Sequence, residues 1–150
     1  MGFNNKGVDH LVAKVKKSSY TGVLGINIGK NFDTPNENAA DDYLHCLMKV
    51  YPYADYVTVN ISSPNTKDLR DLQEVDALSL LLSKLMKKKQ ILEKRVQRVV
   101  PLVVKIAPDL EDEQVVPIAK LLKSSGVDGV VATNTTIDKS SVSDLSLIHI

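Results

Sequence analysis

Apolar positions along the chain follow two rhythms that take turns. Four short β-branched runs, GVLGINI (Gly22 to Ile28), YVTVNI (Tyr56 to Ile61), PLVVKIA (Pro101 to Ala107) and GVVAT (Gly129 to Thr133), are nearly continuous in apolar character. Runs of this kind predict strands of a sheet buried on both faces. Between them the apolar residues recur at spacings of three and four. Val8, Leu11, Val12 and Val15 form one stripe, and Ala39, Ala40, Tyr43, Leu44, Leu47 and Met48 a second, broader one. Leu78, Leu81, Leu82, Leu85 and Met86 form a third that reaches towards Leu92, and Ile118, Leu121 and Leu122 a fourth. Each stripe gives a helix one face to bury. Pro117 lies inside the fourth pattern, and because an interior proline loses a backbone hydrogen bond, the regular helix is expected to begin near it.

Strands alternating with helices predict a parallel sheet with crossover helices. Four βα units amount to half of a (β/α)8 barrel, which normally needs eight strands and about 250 residues. From the pattern alone a four-stranded doubly wound sheet is an equal candidate. Both architectures collect chemistry at the carboxyl ends of the strands.

Composition narrows the kind of partner. With 43% hydrophobic and 25% charged residues in 150, the chain has the make-up of one domain with a real core. Nineteen basic residues against eighteen acidic leave a net charge of +1, so no broad field recruits nucleic acid, and partners are to be sought in a pocket. No apolar run approaches the roughly 20 residues of a spanning helix. Cys46 stands among apolar residues in LHCLMKV, which marks it as core packing. Lys87, Lys88 and Lys89 read as a solvated helix face.

Candidate chemistry concentrates after the second β-branched run, in NISSPNTKDLR from Asn60 to Arg70. Asn60 and Asn65 offer amide donors and acceptors, Ser62, Ser63 and Thr66 add hydroxyls, and Pro64 fixes the backbone between them. Such a loop can grip a small, flat molecule with many hydrogen-bonding atoms, although the same residue types also make ordinary turns. Lys105 sits in an otherwise apolar strand, where an unpaired ammonium is costly, so a ligand is expected there or else a carboxylate such as Asp109.

The string NISSPNTKDLR closely resembles the active-site loop of the dihydroorotate dehydrogenases, and of their class 2, quinone-reducing branch in particular. The resemblance continues in GFNNKG (Gly2 to Gly7), LGINIGKN (Leu24 to Asn31), VVKIAPDL (Val103 to Leu110) and GVVATNTT (Gly129 to Thr136), in the family's order and spacing. It implies an α/β fold, a TIM (β/α)8 barrel of which strands two to five are present, with residues 1–144 forming a partial FMN-binding barrel.

It also implies roles. Ser63 is the base that takes the C5 proton of dihydroorotate while a hydride leaves C6 for the flavin, with Thr66 and Phe3 on the proton path. Serine here, where class 1 enzymes carry cysteine, points to a respiratory quinone, ubiquinone or menaquinone, as electron acceptor. Gly2, Phe3, Asn60, Asn65, Asn134 and Thr135 correspond to the groups that hold dihydroorotate or orotate. Asn27, Asn60, Lys105 and Thr133 correspond to FMN contacts, Lys105 lying where positive charge stabilises reduced flavin. Lys67 and Asp68 depart from the family, since many relatives have a small residue followed by glycine there.

Both ends are expected to be accidental. Met1 reads as an internal methionine of a longer frame, whose upstream part would carry the first barrel strand and the helical region through which class 2 enzymes reach membrane and quinone. That region would place the parent at the mitochondrial inner membrane or the bacterial cytoplasmic membrane. Leu145 to Ile150, LSLIHI, resembles a translated sequencing adapter, which removes any catalytic meaning from His149. The chain alone is expected to be inactive. The alternatives are a class 1-like enzyme with a soluble acceptor and a non-catalytic half-barrel.

Overall fold

The computed structural model describes residues 5–66 and 68–138. Gly2, Phe3, Lys67 and residues 145–150 therefore lie outside the described residues. The order of elements is α1 (Val8–Lys17), β1 (Gly25–Ile28), α2 (Ala39–Val50), β2 (Tyr56–Asn60), α3 (Val75–Val96), β3 (Leu102–Ile106), α4 (Asp112–Ser125) and β4 (Gly129–Ala132). Single 3₁₀ segments, Asn36–Asn38 and Leu69–Gln73, precede α2 and α3.

All strand pairs are parallel and the strand order is β1-β2-β3-β4. Sequential order, with helices packed in the row α1–α2–α3–α4, is that of a barrel segment. A doubly wound sheet would reverse its order and carry helices on both faces. The helix-facing side of the sheet, Ile26, Ile28, Val57, Val59, Ile61, Leu102 and Val104, is buried against Leu47, Leu78, Leu82 and Leu85. Each such leucine contributes about 1.5–3 kcal/mol of transfer free energy.

The sheet is not buried on both faces, as its apolar continuity led us to expect. On the opposite face Asn27 is exposed, Val103 and Lys105 are half-buried and Val131 is 37% exposed. Thr58 and Asn60, in the middle of the sheet, are buried. Among the described residues the helices pack in one row and bury their apolar residues against the other side.

Two further expectations need correction. Helix α4 starts five residues before Pro117, at Asp112. The Gln114 side chain accepts the Glu111 amide at 3.0 Å, which fixes the start upstream, and Pro117 is accommodated inside the helix. Lys89 is not a solvated charge. It is 6% exposed, 2.7 Å from Glu93 and 3.4 Å from Asp128, because the stripe that buries Leu85 and Leu92 carries it inward. The Cys46 expectation stands: the thiol packs against the core, and burial, then the Asp42 and Asp9 charges, push it up to about 11.

Candidate functional site

Parallel strands end in step, and the register determines what meets at their carboxyl ends. Asn27 is level with Thr58, and Asn60 is level with Lys105. Because side chains alternate along a strand, Asn27, Thr58, Asn60 and Lys105 share the open face. A row of two amides, a hydroxyl and an ammonium thus crosses a face whose flanking positions, Val103 and Val131, are apolar. Asp109 does not neutralise Lys105. It pairs with Arg70 at 2.7 Å, and no ion pair among the described residues involves Lys105.

After β2 the chain turns on its own side chains. The Asn60 Oδ1 accepts the Ser62 amide at 3.2 Å and the Ser62 hydroxyl at 2.9 Å. The Ser63 hydroxyl, 1% exposed, accepts the Asn65 amide at 3.2 Å. These are the local bonds by which asparagine and serine make turns, and they fix the loop while keeping both serines buried. The buried Tyr43 hydroxyl supports the loop from α2, donating to the Asn60 carbonyl at 2.6 Å. Burial raises the pKa of that phenol far above its ordinary value, so it remains a donor.

The loop after β4 joins from the far edge. The Asn134 amide donates to the Ile106 carbonyl at 3.0 Å, and its side chain donates to the Ser62 hydroxyl at 3.1 Å. The Asn134 Oδ1 in turn accepts the Thr135 amide at 2.8 Å. Asn60, Ser62 and Asn134 thereby form one chain of hydrogen bonds across the sheet end.

A cleft of about 280 Å³ opens beside this chain, lined by Asn27, Asn60, Thr66, Lys30, Cys46 and Leu69 among others. Asn65 is exposed at the loop tip. Thr133 stands apart from the cleft. Its hydroxyl donates to the Asn134 carbonyl at 2.8 Å, and it lines a larger, mainly apolar groove of about 490 Å³ between β4 and α4.

Sequence reasoning gave no role to Arg70, Tyr43 or Gln73, and cast Asp109 as a possible partner of Lys105. Arg70 reaches Ser62, Asp109 and Thr135. The Gln73 Oε1, on a side chain in the core, accepts the Ala107 amide at 2.8 Å. The one signal present in the sequence was position: Asp109 stands just beyond the end of β3, and Arg70 closes the polar run that follows β2. The Asp109 carboxyl lies below its ordinary range, held down by the Thr136 hydroxyl and, against burial, by the Ile137 amide and Arg70.

The profile of the family described as "Dihydroorotate dehydrogenase" matches residues 1–147. The chain is 61% identical over 142 residues to the dihydroorotate dehydrogenase (quinone) of Cellvibrio japonicus, covering 95% of this chain and 42% of that protein. With the protein of the same name from Methylobacillus flagellatus the identity is 62% over 144 residues, or 96% and 43% of the two lengths. Among solved structures, the Eimeria tenella DHODH in complex with ferulenol superposes with a TM-score of 0.84 at 37% identity, over 93% of this chain and 43% of that one. The chain thus spans less than half the length of these relatives.

Proposed function

The chain belongs to the dihydroorotate dehydrogenase family, and from that premise we propose that it is part of an enzyme oxidising dihydroorotate to orotate with FMN and a respiratory quinone. The observation that carries the reading is the polar patch on the face opposite the helices, where Asn60 is level with Lys105 and Asn27, level with Thr58, stands one same-face position before them. An ammonium without an ion pair among the described residues, beside amides that can donate and accept, suits the polar edge of an isoalloxazine ring. Asn27, Asn60, Lys105 and Thr133 are the residues proposed to hold FMN. When bound, FMN supplies the acceptor for the hydride leaving C6 of the substrate.

This chain's own residues bind and move a proton. Asn60, Asn65, Asn134 and Thr135, with Gly2 and Phe3, are proposed to hold the ring and carboxylate of the substrate, which neutral amides and hydroxyls can orient from several sides. The Ser63 Oγ receives the C5 proton. A serine is a weak base, so its proton has to be relayed, and the Thr66 hydroxyl is proposed to carry it along a path that Phe3 borders. Serine at this position supports quinone over a soluble acceptor. No helix among the described residues is long and apolar enough to cross a membrane. Quinone and membrane contact are proposed for the part of the relatives' length that this chain does not span.

Dihydroorotate-dependent quinone reduction by the full-length protein tests this. Ser63→Ala should lower kcat by about 10²–10⁴-fold while the flavin absorption band persists. A full-length wild type without that activity overturns the reading. A second reading, a non-catalytic half-barrel, is favoured by the open edges of the sheet, β1 and β4. Absence of flavin absorption from the purified 150-residue chain, with the full-length protein yellow, would select it.

A further inference from the structure

Beyond Asn60, Ile106 and Ala132 the strands end, and the loops that follow have lost the regular ladder. Arg70 bridges them. Its Nε donates to the Ser62 carbonyl at 3.2 Å, Nη1 to the Asp109 carboxylate at 2.7 Å and Nη2 to the Thr135 carbonyl at 3.2 Å. These acceptors belong to the loops after β2, β3 and β4. Asp109 extends the link by accepting the Thr136 hydroxyl and, at 3.2 Å, the Ile137 amide. Gln73 holds the base of Arg70, donating to its carbonyl at 3.4 Å while accepting the Ala107 amide. Both partners of the ion pair are largely shielded, with side chains 20% and 19% exposed.

We propose that the Arg70–Asp109 pair is a positioning brace for substrate binding, setting the separation between the loop of Ser63 and Asn65 and the loop of Asn134 and Thr135. The proposal rests on the functional reading above and adds to it a residue pair to which that reading gives no contact with substrate or flavin. Two loops proposed to grip one flat molecule must keep a fixed gap, and hydrogen bonds within each loop cannot fix it. Among the described residues the Asn134–Ser62 side-chain bond links them directly, and Arg70 adds a second link, through two backbone carbonyls. A planar guanidinium with donors on several edges can span three acceptors at once, whereas a lysine ammonium is a single point.

Amide hydrogen exchange on the full chain and orotate affinity of the full-length holoenzyme together test this. Arg70→Gln and the near-isosteric Asp109→Asn should each speed exchange of the Ser62, Asn65, Thr135 and Ile137 amides about tenfold, leaving α2 and α3 unchanged. The double variant should be no faster than the faster single one, since the pair acts as a unit. In the holoenzyme each should weaken orotate about tenfold with FMN content unchanged, and Arg70→Lys should not restore it. Unchanged exchange in both loops, or equal acceleration through α2 and α3, overturns the brace even where orotate binds. A wild-type holoenzyme that binds no orotate overturns the functional reading, and with it the brace's part in substrate binding, whatever the loops do.

Discussion

Asp68 holds φ 53° and ψ 14°, a left-handed conformation in which a Cβ crowds the following carbonyl. Its own carbonyl accepts the Asn36 side-chain amide at 2.7 Å, so the strained turn is tied to the loop before α2. Glycine adopts this conformation freely, and it is the residue that the resemblance puts here in many relatives. Asp68→Gly should stabilise the chain by about 0.5–1 kcal/mol, the relief of strain exceeding the added freedom of the unfolded chain. Urea unfolding of the two proteins checks this, and a variant no more stable than the parent would mean that Asp68 carries no strain. The sequence marked Lys67 and Asp68 as a departure but could not reveal the dihedral, which the entry into the 3₁₀ segment Leu69–Gln73 imposes. The same limit applies to the candidate site. Asn60, Ser62 and Ser63 were legible as polar residues at a strand end, whereas the Asn134–Ser62 bond joins residues 72 apart and the Arg70–Asp109 pair residues 39 apart.

Among the elements, α3 shows how a helix can carry a charge into its buried stripe. Lys89 sits four residues after Leu85 and three before Leu92, so helical geometry turns it towards the core. Burial disfavours its charge, but the hydrogen bond to Glu93 and the charges of Asp128 and Glu93 outweigh that, and its pKa rises above the ordinary lysine value. Asp128 also accepts the Leu102 amide at 2.7 Å, which ties the end of the α4–β4 connection to the start of β3. A pKa raised by folding contributes stability that is complete below the unfolded lysine value of about 10.4. That contribution is lost as pH rises through the folded value. Stability of the wild type should therefore fall more steeply above that pH than stability of Lys89→Met, measured by denaturant unfolding at a series of pH values. Parallel pH dependences would remove Lys89 from the account. Periodicity alone places a residue on a face but says nothing of partners on other elements, so the lysine run read as solvated when only part of it is.

For the whole molecule, strand and helix positions were legible because period and length agree in every βα unit, down to strands that begin and end within a few residues of the apolar runs. What pattern could not choose, barrel segment or doubly wound sheet, depends on strand order, which is not a local property. The order β1-β2-β3-β4 leaves two edges, and the β4 edge is the more apolar, with Val130 47% and Val131 37% exposed. Ile137, 60% exposed, lies just beyond it, and the apolar groove between β4 and α4 adjoins it. An uncovered parallel edge beside apolar surface favours pairing with another strand. The 150-residue chain should accordingly associate in sedimentation velocity, its average mass rising with concentration. Val130→Lys should suppress that rise while changing unfolding stability by no more than about 0.5 kcal/mol, as expected of an exposed position. Lysine acts there because a neighbouring strand would have to bury its charge, a cost the monomer does not bear. If Val130→Lys associates as strongly as the wild type, contact runs through the β1 edge, where Val23 is 71% and Tyr20 66% exposed, and Val23→Lys should then be the variant that stays monomeric.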